Sequence, residues 1–356
     1  MEAGPCLQAV AQGVLRLLGW RPGKPLQLIL DVTKIEKRGE GMDAAHRFYS
    51  TTSGRAGFGH EIVLLCVRFQ GVTLPWSLRI FLPRAHCEGW QQEYLTTNQL
   101  AAQMLDALPA SMVAPRKTLA LFDSAFLNHH MLKVCRRRAL RFVSVAQTSR
   151  VFRPAHKKGR PSSGHKPNKR HIGAYGAGVL RYQGSLIELP SYRGTTRYRV
   201  AERIGALQKV GWVKVVFSRR LTDNGVIALV TNDTTMSAAD VITAYRQRWT
   251  IEVLFKQLKQ HLGLGDYRFS RLQGVERHLH LSAIAYLLLK HLGLRRPGED
   301  TRNRTDAALG SVERLREKLC AEIAHDHIQR ALDRHGHVPA ITSLLQSMTG
   351  LETPVS

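Results

Sequence analysis

The sequence predicts an α/β fold in which a mixed β-sheet, flanked by helices, is interrupted by a β-rich insertion and followed by a helical C-terminal region. Three observations support this prediction. Strand and helix patterns alternate up to residue 150, short β-patterned segments fill residues 151–236, and helical spacing prevails from residue 237 onward. Apolar residues make up 44% of the 356 residues, which is enough for a substantial core in one large domain or two smaller ones.

The first part of the chain divides into a short helical segment and a run of strands and helices. Residues 1–25 are predicted to be an N-terminal helical remnant, and residues 26–150 the first part of the main domain. Within that part, apolar and alternating patterns predict a β-β-β-α-β-α-β order. The predicted strands cover 25–30, 61–69, 73–81, 118–122 and 141–145, and the predicted helices cover 91–108 and 127–139.

The composition changes near residue 151. Residues 153–171 are rich in Gly, Pro, Ser, Lys and Arg, which predicts a loop at the start of an insertion over residues 151–236. Short strands are then predicted over 178–182, 185–189, 198–201, 211–217 and 225–230. A single helix is predicted over 237–262, with Ser237 as its N-cap, in a second part of the main domain that covers 237–295. Residues 296–356 form the helical C-terminal region.

The charge balance indicates a polyanionic partner. Lys and Arg together number 52 and Asp and Glu 27, which gives a formal net charge of +25. Nucleic acid is the usual partner of so basic a chain, and a generic solvated basic surface is the alternative. Five cysteines without a C-x-x-C pair favour a reducing cytoplasm over a disulfide framework or a zinc ribbon. The apolar run 281–289 is too short to span a membrane, so no membrane partner is expected.

Three carboxylates are the candidate catalytic and metal-binding residues. Asp31 and Asp123 each follow an apolar strand, where a carboxylate is partly desolvated and rigidly held. Glu252 lies on the helix predicted over 237–262, and at 100° per residue it falls in one arc of about 60° with Tyr245, Arg248 and Lys259. Each aspartate taken alone is more often a turn residue, and the spacing of Arg248 and Glu252 also fits an ordinary surface ion pair.

Carboxylate ligands favour Mg²⁺ or Mn²⁺ over zinc. Two such ions, roughly 3.5–4 Å apart, can activate an attacking oxygen and stabilise a leaving oxygen in phosphoryl transfer. The residue types therefore predict metal-dependent phosphoryl transfer with two Mg²⁺ or Mn²⁺ ions held by Asp31, Asp123 and Glu252.

The chain resembles the bacterial insertion-sequence transposases of the DDE class that carry a Tyr-Arg-Glu-Lys signature. The matching residues are Tyr245, Arg248, Glu252 and Lys259, within the text TNDTTMSAADVITAYRQRWTIEVLFKQLKQHLGL of residues 231–264. Asp31-Val32-Thr33, Gly59-His60-Glu61 and residues 122–126 (FDSAF) also look like that group. The likeness extends from about residue 26 to about residue 295.

This resemblance implies a ribonuclease-H-like catalytic domain, interrupted by a β-rich insertion before the helix that carries the last carboxylate. It implies that Tyr245, Arg248 and Lys259 contact the DNA of the element ends. It further implies cleavage that frees a 3′-hydroxyl, followed by attack of that hydroxyl on target DNA. A homodimer on DNA and a location in the bacterial cytoplasm, at the nucleoid, are expected with this function.

The basic loop is a second predicted DNA contact. Lys157, Lys158, Arg160, Lys169 and Arg170 would follow a phosphate backbone and make binding dependent on salt, and a solvated loop is the alternative. Some members of the family stack an aromatic residue on a flipped base during hairpin formation. The strand predicted over 225–230 has no aromatic residue, and Trp212 is the substitute candidate, although such a Trp more often belongs to a core.

Two other functions stay open at the level of sequence. Only 30 residues precede Asp31, whereas such transposases usually have a longer DNA-binding region there, so a truncated or domesticated relative that binds DNA without transposing is the first alternative. The second is a ribonuclease-H-like nuclease that acts on RNA or hybrids. Retention of all three carboxylates favours the enzyme over the binding protein.

Overall fold

A computed structural model describes residues 3–38, 41–50, 54–155, 170–191, 194–223, 225–294 and 312–335. Twelve strands of this described part form one sheet. The strands are β1 Gln27–Glu36, β2 His46–Ser50, β3 Arg55–Phe69, β4 Val72–Ile80, β5 Leu119–Phe122, β6 Arg141–Val145, β7 Val151–Pro154, β8 Arg170–His171, β9 Ser185–Ser191, β10 Gly194–Leu207, β11 Gly211–Arg220 and β12 Ile227–Thr231. The helices are α1 Ala3–Leu17, α2 Arg84–Gly89, α3 Thr97–Asp106, α4 His129–Arg137, α5 Ile172–Gln183, α6 Ala238–Gln247, α7 Thr250–His261, α8 Leu272–Leu294 and α9 Val312–His335.

The first six strands have the mixed order expected of a ribonuclease-H-like sheet. Strands β1, β3 and β4 pair in antiparallel fashion, and β5 and β6 continue the sheet parallel to β1. The carboxyl ends of the parallel strands β1, β5 and β6 therefore point toward the same edge of the sheet. The predicted mixed α/β architecture is confirmed, and the predicted strand over 141–145 coincides with β6.

Strand β1 does not end at Asp31, as the sequence predicted, but continues to Glu36. Its pairing with β5 covers only Gln27–Ile29, whereas its pairing with β3 extends through Asp31↔Leu64 to Glu36↔Gly59. Because β5 leaves the ladder before Asp31, that side chain stands where β1 has a neighbour on one side only. The long antiparallel partner keeps the backbone of β1 extended beyond the site.

The insertion extends the catalytic sheet. Strand β12 pairs antiparallel with β6, and the order then continues β11-β10-β7-β8, with β9 paired to β10. One predicted strand is wrong, because residues 178–182 lie in helix α5. Its buried residues Ile172, Gly176, Val179 and Leu180 recur with helical rather than alternating spacing. Gly176 permits close packing, since a Cβ there would lie 2.3 Å from the ring of Phe217.

The single helix predicted over 237–262 is two helices, α6 and α7, joined at Arg248 and Trp249. The backbone keeps helical torsions there but forms i→i−3 hydrogen bonds, from Arg248 N to Tyr245 O (3.0 Å) and from Glu252 N to Trp249 O (3.0 Å). The hydroxyl of Thr73 on β4 donates to that of Thr250 (2.9 Å), which ties the junction to the sheet. The predicted N-cap at Ser237 is confirmed, because it forms a capping box with Asp240.

Helix α1 belongs to the core of the fold. Its residues Leu7, Val14 and Leu15 are fully buried, and the helix packs against α8 and β4. Among the described residues, no helix has both the length and the apolar character that crossing a bilayer requires. The core thus joins the N-terminal helix, the first strands and α8 behind the edge that carries Asp31 and Asp123.

Candidate active site

Two aspartates stand at the edge of the sheet where β5 ends, with Asp31 on β1 two residues past its pairing with β5. Asp31 Oδ1 accepts a hydrogen bond from its neighbour Val32 N (2.8 Å), which fixes the carboxylate against the strand. Asp123 follows β5 directly, and its Oδ1 accepts from Ala125 N (2.8 Å) in a tight turn. The buried hydroxyl of Ser144 on β6 donates to Asp123 O (3.0 Å) and holds that turn on the sheet.

Arg248 joins the aspartate of β1 to the glutamate of α7. Its Nη1 donates to Asp31 Oδ2 (2.7 Å) and its Nη2 to Glu252 Oε1 (2.6 Å). The side chains of Arg248 and Asp31 are only 13% and 17% exposed, so both contacts lie in a partly desolvated place where charge interactions are strong. Tyr245 flanks this group, with its ring centroid 5.7 Å from Arg248 Cζ. The fold therefore assembles Asp31, Tyr245, Arg248 and Glu252 from elements more than 200 residues apart in sequence.

Burial dominates the electrostatics of Asp31. Burial raises the pKa of Asp31 to about 6, and Arg248 and the Val32 N–H lower it only in part. Asp123 and Glu252 raise the same pKa further, because like charges disfavour ionisation. Burial also raises the pKa of Tyr245, with Arg248 acting in the opposite direction. An additional cation at this edge would stabilise the ionised carboxylates.

An open groove of about 820 Å³ runs along the two aspartates. The first residues of α3, Thr97 and Asn98, form part of its wall, and Asp266 lies in the loop after α7. Lys259 also lines the groove, and its Nζ donates to Lys34 O on β1 (2.8 Å). Desolvation lowers the pKa of Lys259, with Glu36 acting in the opposite direction. The groove thus combines acidic residues with a lysine at its border.

The donor set fits a hard divalent cation. Asp31, Asp123 and Glu252 offer oxygen ligands only, the type that Mg²⁺ and Mn²⁺ prefer. Within the described residues, however, no group of three or more His, Cys, Asp or Glu side chains is clustered closely enough to hold an ion as it stands. Arg248 lies between two of the three carboxylates and contacts both. The ligand chemistry therefore fits, while two of the three candidate ligands are paired with the guanidinium in this structure.

Of the five basic residues predicted to form a second DNA contact, the structure describes Arg170. Lys157, Lys158, Arg160 and Lys169 lie outside the described residues. Arg170 lies on β8, at the opposite end of the strand order from β1 and β5. It lines a different groove, which also contains Tyr175 and Tyr182 of α5.

Sequence reasoning missed a buried network that holds the loop after α7. His60 is fully buried; its Nε2 donates to Asp43 O (2.8 Å), and its Nδ1 accepts from the Tyr267 hydroxyl (2.7 Å). Burial lowers the pKa of His60, in keeping with a neutral ring. Lys37 Nζ donates to Gly265 O (2.5 Å) in the same loop. The sequence contains the motif Gly59-His60-Glu61, but the hydrogen-bond partner of His60 is Tyr267, 207 positions away, which spacing along the sequence cannot predict.

Two tryptophans near the insertion are exposed. Trp212, expected to belong more often to a core, is 62% exposed on β11. Trp249, at the junction of α6 and α7, is 62% exposed as well. Trp249 lines a groove with Tyr198, Tyr245 and Arg248, on the insertion side of the carboxylates. Aromatic surface is therefore available beside the site, although β12 itself has no aromatic residue.

A ribonuclease-H-like sheet with two aspartates at its carboxyl edge and a glutamate on a following helix defines a DDE-type nuclease or transposase. Comparison with known families agrees with this class. The family described as "Transposase DDE domain" matches residues 93–288, and that described as "DDE superfamily endonuclease" matches residues 4–181. The chain belongs to the DDE transposase family, whose enzymes use divalent metal ions.

Individual relatives are more distant. The chain is 21% identical over 274 residues to a probable transposase for insertion sequence element IS701 of Microchaete diplosiphon, covering 71% of this chain and 62% of that protein. It is 38% identical over 76 residues to the putative transposase y4zB of Sinorhizobium fredii, covering 20% of this chain and 21% of that protein. The chain thus spans less than two thirds of the length of either relative.

Proposed function

We propose that this protein is a DNA transposase that cleaves the ends of an insertion sequence and joins the freed 3′-hydroxyl to target DNA. The observation that carries the proposal is the meeting of Asp31, Arg248 and Glu252, within 2.7 Å contacts, at the sheet edge that also carries Asp123. Membership of the DDE transposase family supports the same activity. The two relatives, described as transposases, point in the same direction.

In this proposal Asp31, Asp123 and Glu252 would hold the divalent ions, Mg²⁺ or Mn²⁺ and two in number. When bound, these ions would supply activation of the attacking oxygen and stabilisation of the leaving oxygen. The chain's own contribution is rigid placement. Asp31 is fixed by β1 and Val32 N, and Asp123 by its turn and Ser144. Fixed ligands keep the reacting oxygens aligned and shorten the search for a reactive geometry.

The DNA end would bind beside the carboxylates. Arg248 has a planar fork suited to phosphate, Tyr245 presents its ring beside Arg248, and Lys259 borders the groove of the aspartates. The net charge of +25 favours long-range attraction of DNA. The basic residues Lys157, Lys158, Arg160, Lys169 and Arg170 would be a second DNA contact. A homodimer would hold the two ends, in the bacterial cytoplasm at the nucleoid.

The test is Mg²⁺-dependent nicking of a labelled duplex that contains the boundary between the element and its flanking DNA. The boundary can be read from the genomic sequence next to the gene. Wild type should release a 3′-hydroxyl at the boundary and then transfer it to a supercoiled plasmid, and Glu252→Ala should do neither. Glu276→Ala, an exposed glutamate on α8, is the matched control and should behave as wild type. Binding without cleavage by wild type would replace this proposal with that of a DNA-binding relative.

A further inference from the structure

The guanidinium of Arg248 stands where a cation is needed. It spans two carboxylates from different elements, Asp31 on β1 and Glu252 on α7, through contacts of 2.7 and 2.6 Å. With a side chain only 13% exposed, it is held inside the site rather than on its surface. A fork that reaches two carboxylates at once does what a bridging ion would do: it neutralises their mutual repulsion.

A metal ion at these carboxylates competes with the guanidinium for the same oxygens and is repelled by its positive charge. Asp31 Oδ2 and Glu252 Oε1 are the atoms that Arg248 engages, and both residues belong to the proposed ligand set. An ion that binds both carboxylates would therefore have to displace the arginine. Breaking the two contacts of Arg248 would reduce the net free energy of metal binding. Among the described residues the carboxylates are not arranged to coordinate an ion, as such a competition would require.

Arg248 is also poised to leave. Its Nε is buried and has no hydrogen-bond acceptor among the described residues, which is costly for a charged group. It lies at the short turn between α6 and α7, where the backbone departs from regular α-helical hydrogen bonding. A DNA phosphate, with two oxygens matched to the fork, can offer the guanidinium a complete set of partners.

We propose that Arg248 occupies the cation position between Asp31 and Glu252 until a DNA phosphate draws it away, so that metal loading depends on engagement of DNA. The DNA half of this inference rests on the proposed function. Metal and DNA would both favour the state in which Arg248 is released, so each would tighten the binding of the other. The protein would then hold little metal while it is free, which would restrain cleavage of DNA that is not seated.

The test measures Mn²⁺ affinity without DNA, from the electron paramagnetic resonance signal of free Mn²⁺. Arg248→Ala should bind Mn²⁺ about tenfold more tightly than wild type, or about 1.4 kcal/mol. Arg248→Lys keeps the charge but loses the fork, and should show a smaller gain. Arg246→Ala removes the same charge two residues earlier, where the guanidinium donates to Pro190 O, and should change the affinity less than threefold or so. Adding Asp31→Asn to Arg248→Ala should abolish the gain.

A second arm repeats the titration with a duplex that carries the element end. The duplex should tighten Mn²⁺ binding to wild type by a larger factor than it tightens binding to Arg248→Ala. Equal Mn²⁺ affinity of wild type and Arg248→Ala, or an equal gain in Arg246→Ala, would overturn the inference. If wild type nicks the end DNA while Arg248→Ala gains no affinity, the inference fails and the proposed function stands. If Arg248→Ala gains affinity while wild type never cleaves, the exchange of cations stands and the proposed function fails.

Discussion

At the β1–β5 edge of the sheet, charged side chains are partly buried and bonded to one another, whereas at the β9–β10 edge they lie in solvent. Asp31 and Arg248 are 17% and 13% exposed, but the ion pair of Glu188 and Arg197 is 53% and 68% exposed. Both pairs have the same contact distance of 2.7 Å. Distance alone therefore does not distinguish the two ion pairs, because desolvation decides how strongly each charge affects its neighbours.

The largest effect is expected from replacing the three carboxylates by amides. Asp31→Asn, Asp123→Asn and Glu252→Gln should each lower the rate of end cleavage by about a thousandfold or more, because an amide is a poor ligand for a hard divalent cation. Single-turnover release of the 3′-hydroxyl measures the rate. Asp266→Asn, in the same groove, is the control and should retain most activity. Equal loss in Asp266→Asn would show that the carboxylate set has been assigned wrongly.

The next effect concerns the backbone that carries Asp31. Gly59 on β3 has φ of +149°, and a Cβ there would lie 2.0 Å from Ile35 O. Gly59→Ala should therefore lower the free energy of unfolding by about 3 kcal/mol or more, because both strands must shift. Urea titration followed by circular dichroism measures this loss. Gly89→Ala, where nothing lies within 4 Å of the added Cβ, should stay near wild type, and a similar loss there would contradict the explanation.

The pKa of Asp31 predicts how stability depends on pH without metal. The carboxyl has a pKa raised from 3.8 to about 6 in the folded protein, so the folded state binds the proton more tightly than the unfolded state. Its contribution to stability is present below about pH 4 and is lost as pH rises through about 6. The full loss amounts to about 3 kcal/mol, of which about 2 kcal/mol falls between pH 4.5 and 7.5. Urea unfolding in chelator at pH 4.5 and 7.5 should show this loss in wild type, and Asp31→Asn should lack it. A wild type that instead gains stability relative to Asp31→Asn would reverse the sign.

A smaller effect is expected from a partly buried ion pair on the insertion side, that of Glu202 and Lys214. Glu202 Oε2 accepts from the nearly buried Lys214 Nζ (3.0 Å), and its Oε1 accepts from Ala238 N (2.7 Å) at the start of α6. Glu202→Ala should cost about 1–2 kcal/mol in the free energy of unfolding, because Lys214 loses its carboxylate. Glu188→Ala removes a carboxylate from a solvated pair on the same insertion and should cost less than about 0.5 kcal/mol. Equal costs would mean that burial does not separate these two ion pairs.

The fold elements that sequence could predict are those with a continuous local pattern. Strand β5 is predicted by four consecutive apolar residues before Asp123, and the start of α6 is predicted by the capping residues Ser237 and Asp240. The break at Arg248 and Trp249 could not be predicted, because the torsions stay helical and the spacing of Arg248 and Glu252 is that of a regular helix. The helix α5 could not be predicted, because its glycines and short apolar segments have the pattern of short strands. The reason for Gly176, its close packing against Phe217, is visible only in the folded structure.

The candidate site was predictable in its members but not in its connections. The residue types and the family resemblance together selected Asp31, Asp123 and Glu252. The contact of Arg248 with Asp31 joins residues 217 positions apart, and only the paired strands and the α6–α7 junction bring them together. Spacing along one helix predicted the i,i+4 partner Glu252 and left the more distant partner unknown.

If Asp31, Asp123 and Glu252 share bound metal, radicals generated at the ion should cut the protein backbone close to all three, although they lie far apart in sequence. Fe²⁺ replaces Mg²⁺ in the complex with end DNA, ascorbate and peroxide generate radicals at the ion, and mass spectrometry locates the cuts. Cuts are expected near residues 31, 123 and 252, all suppressed by excess Mg²⁺. Cuts confined to another region, or cuts at these three places that Mg²⁺ does not suppress, would contradict it.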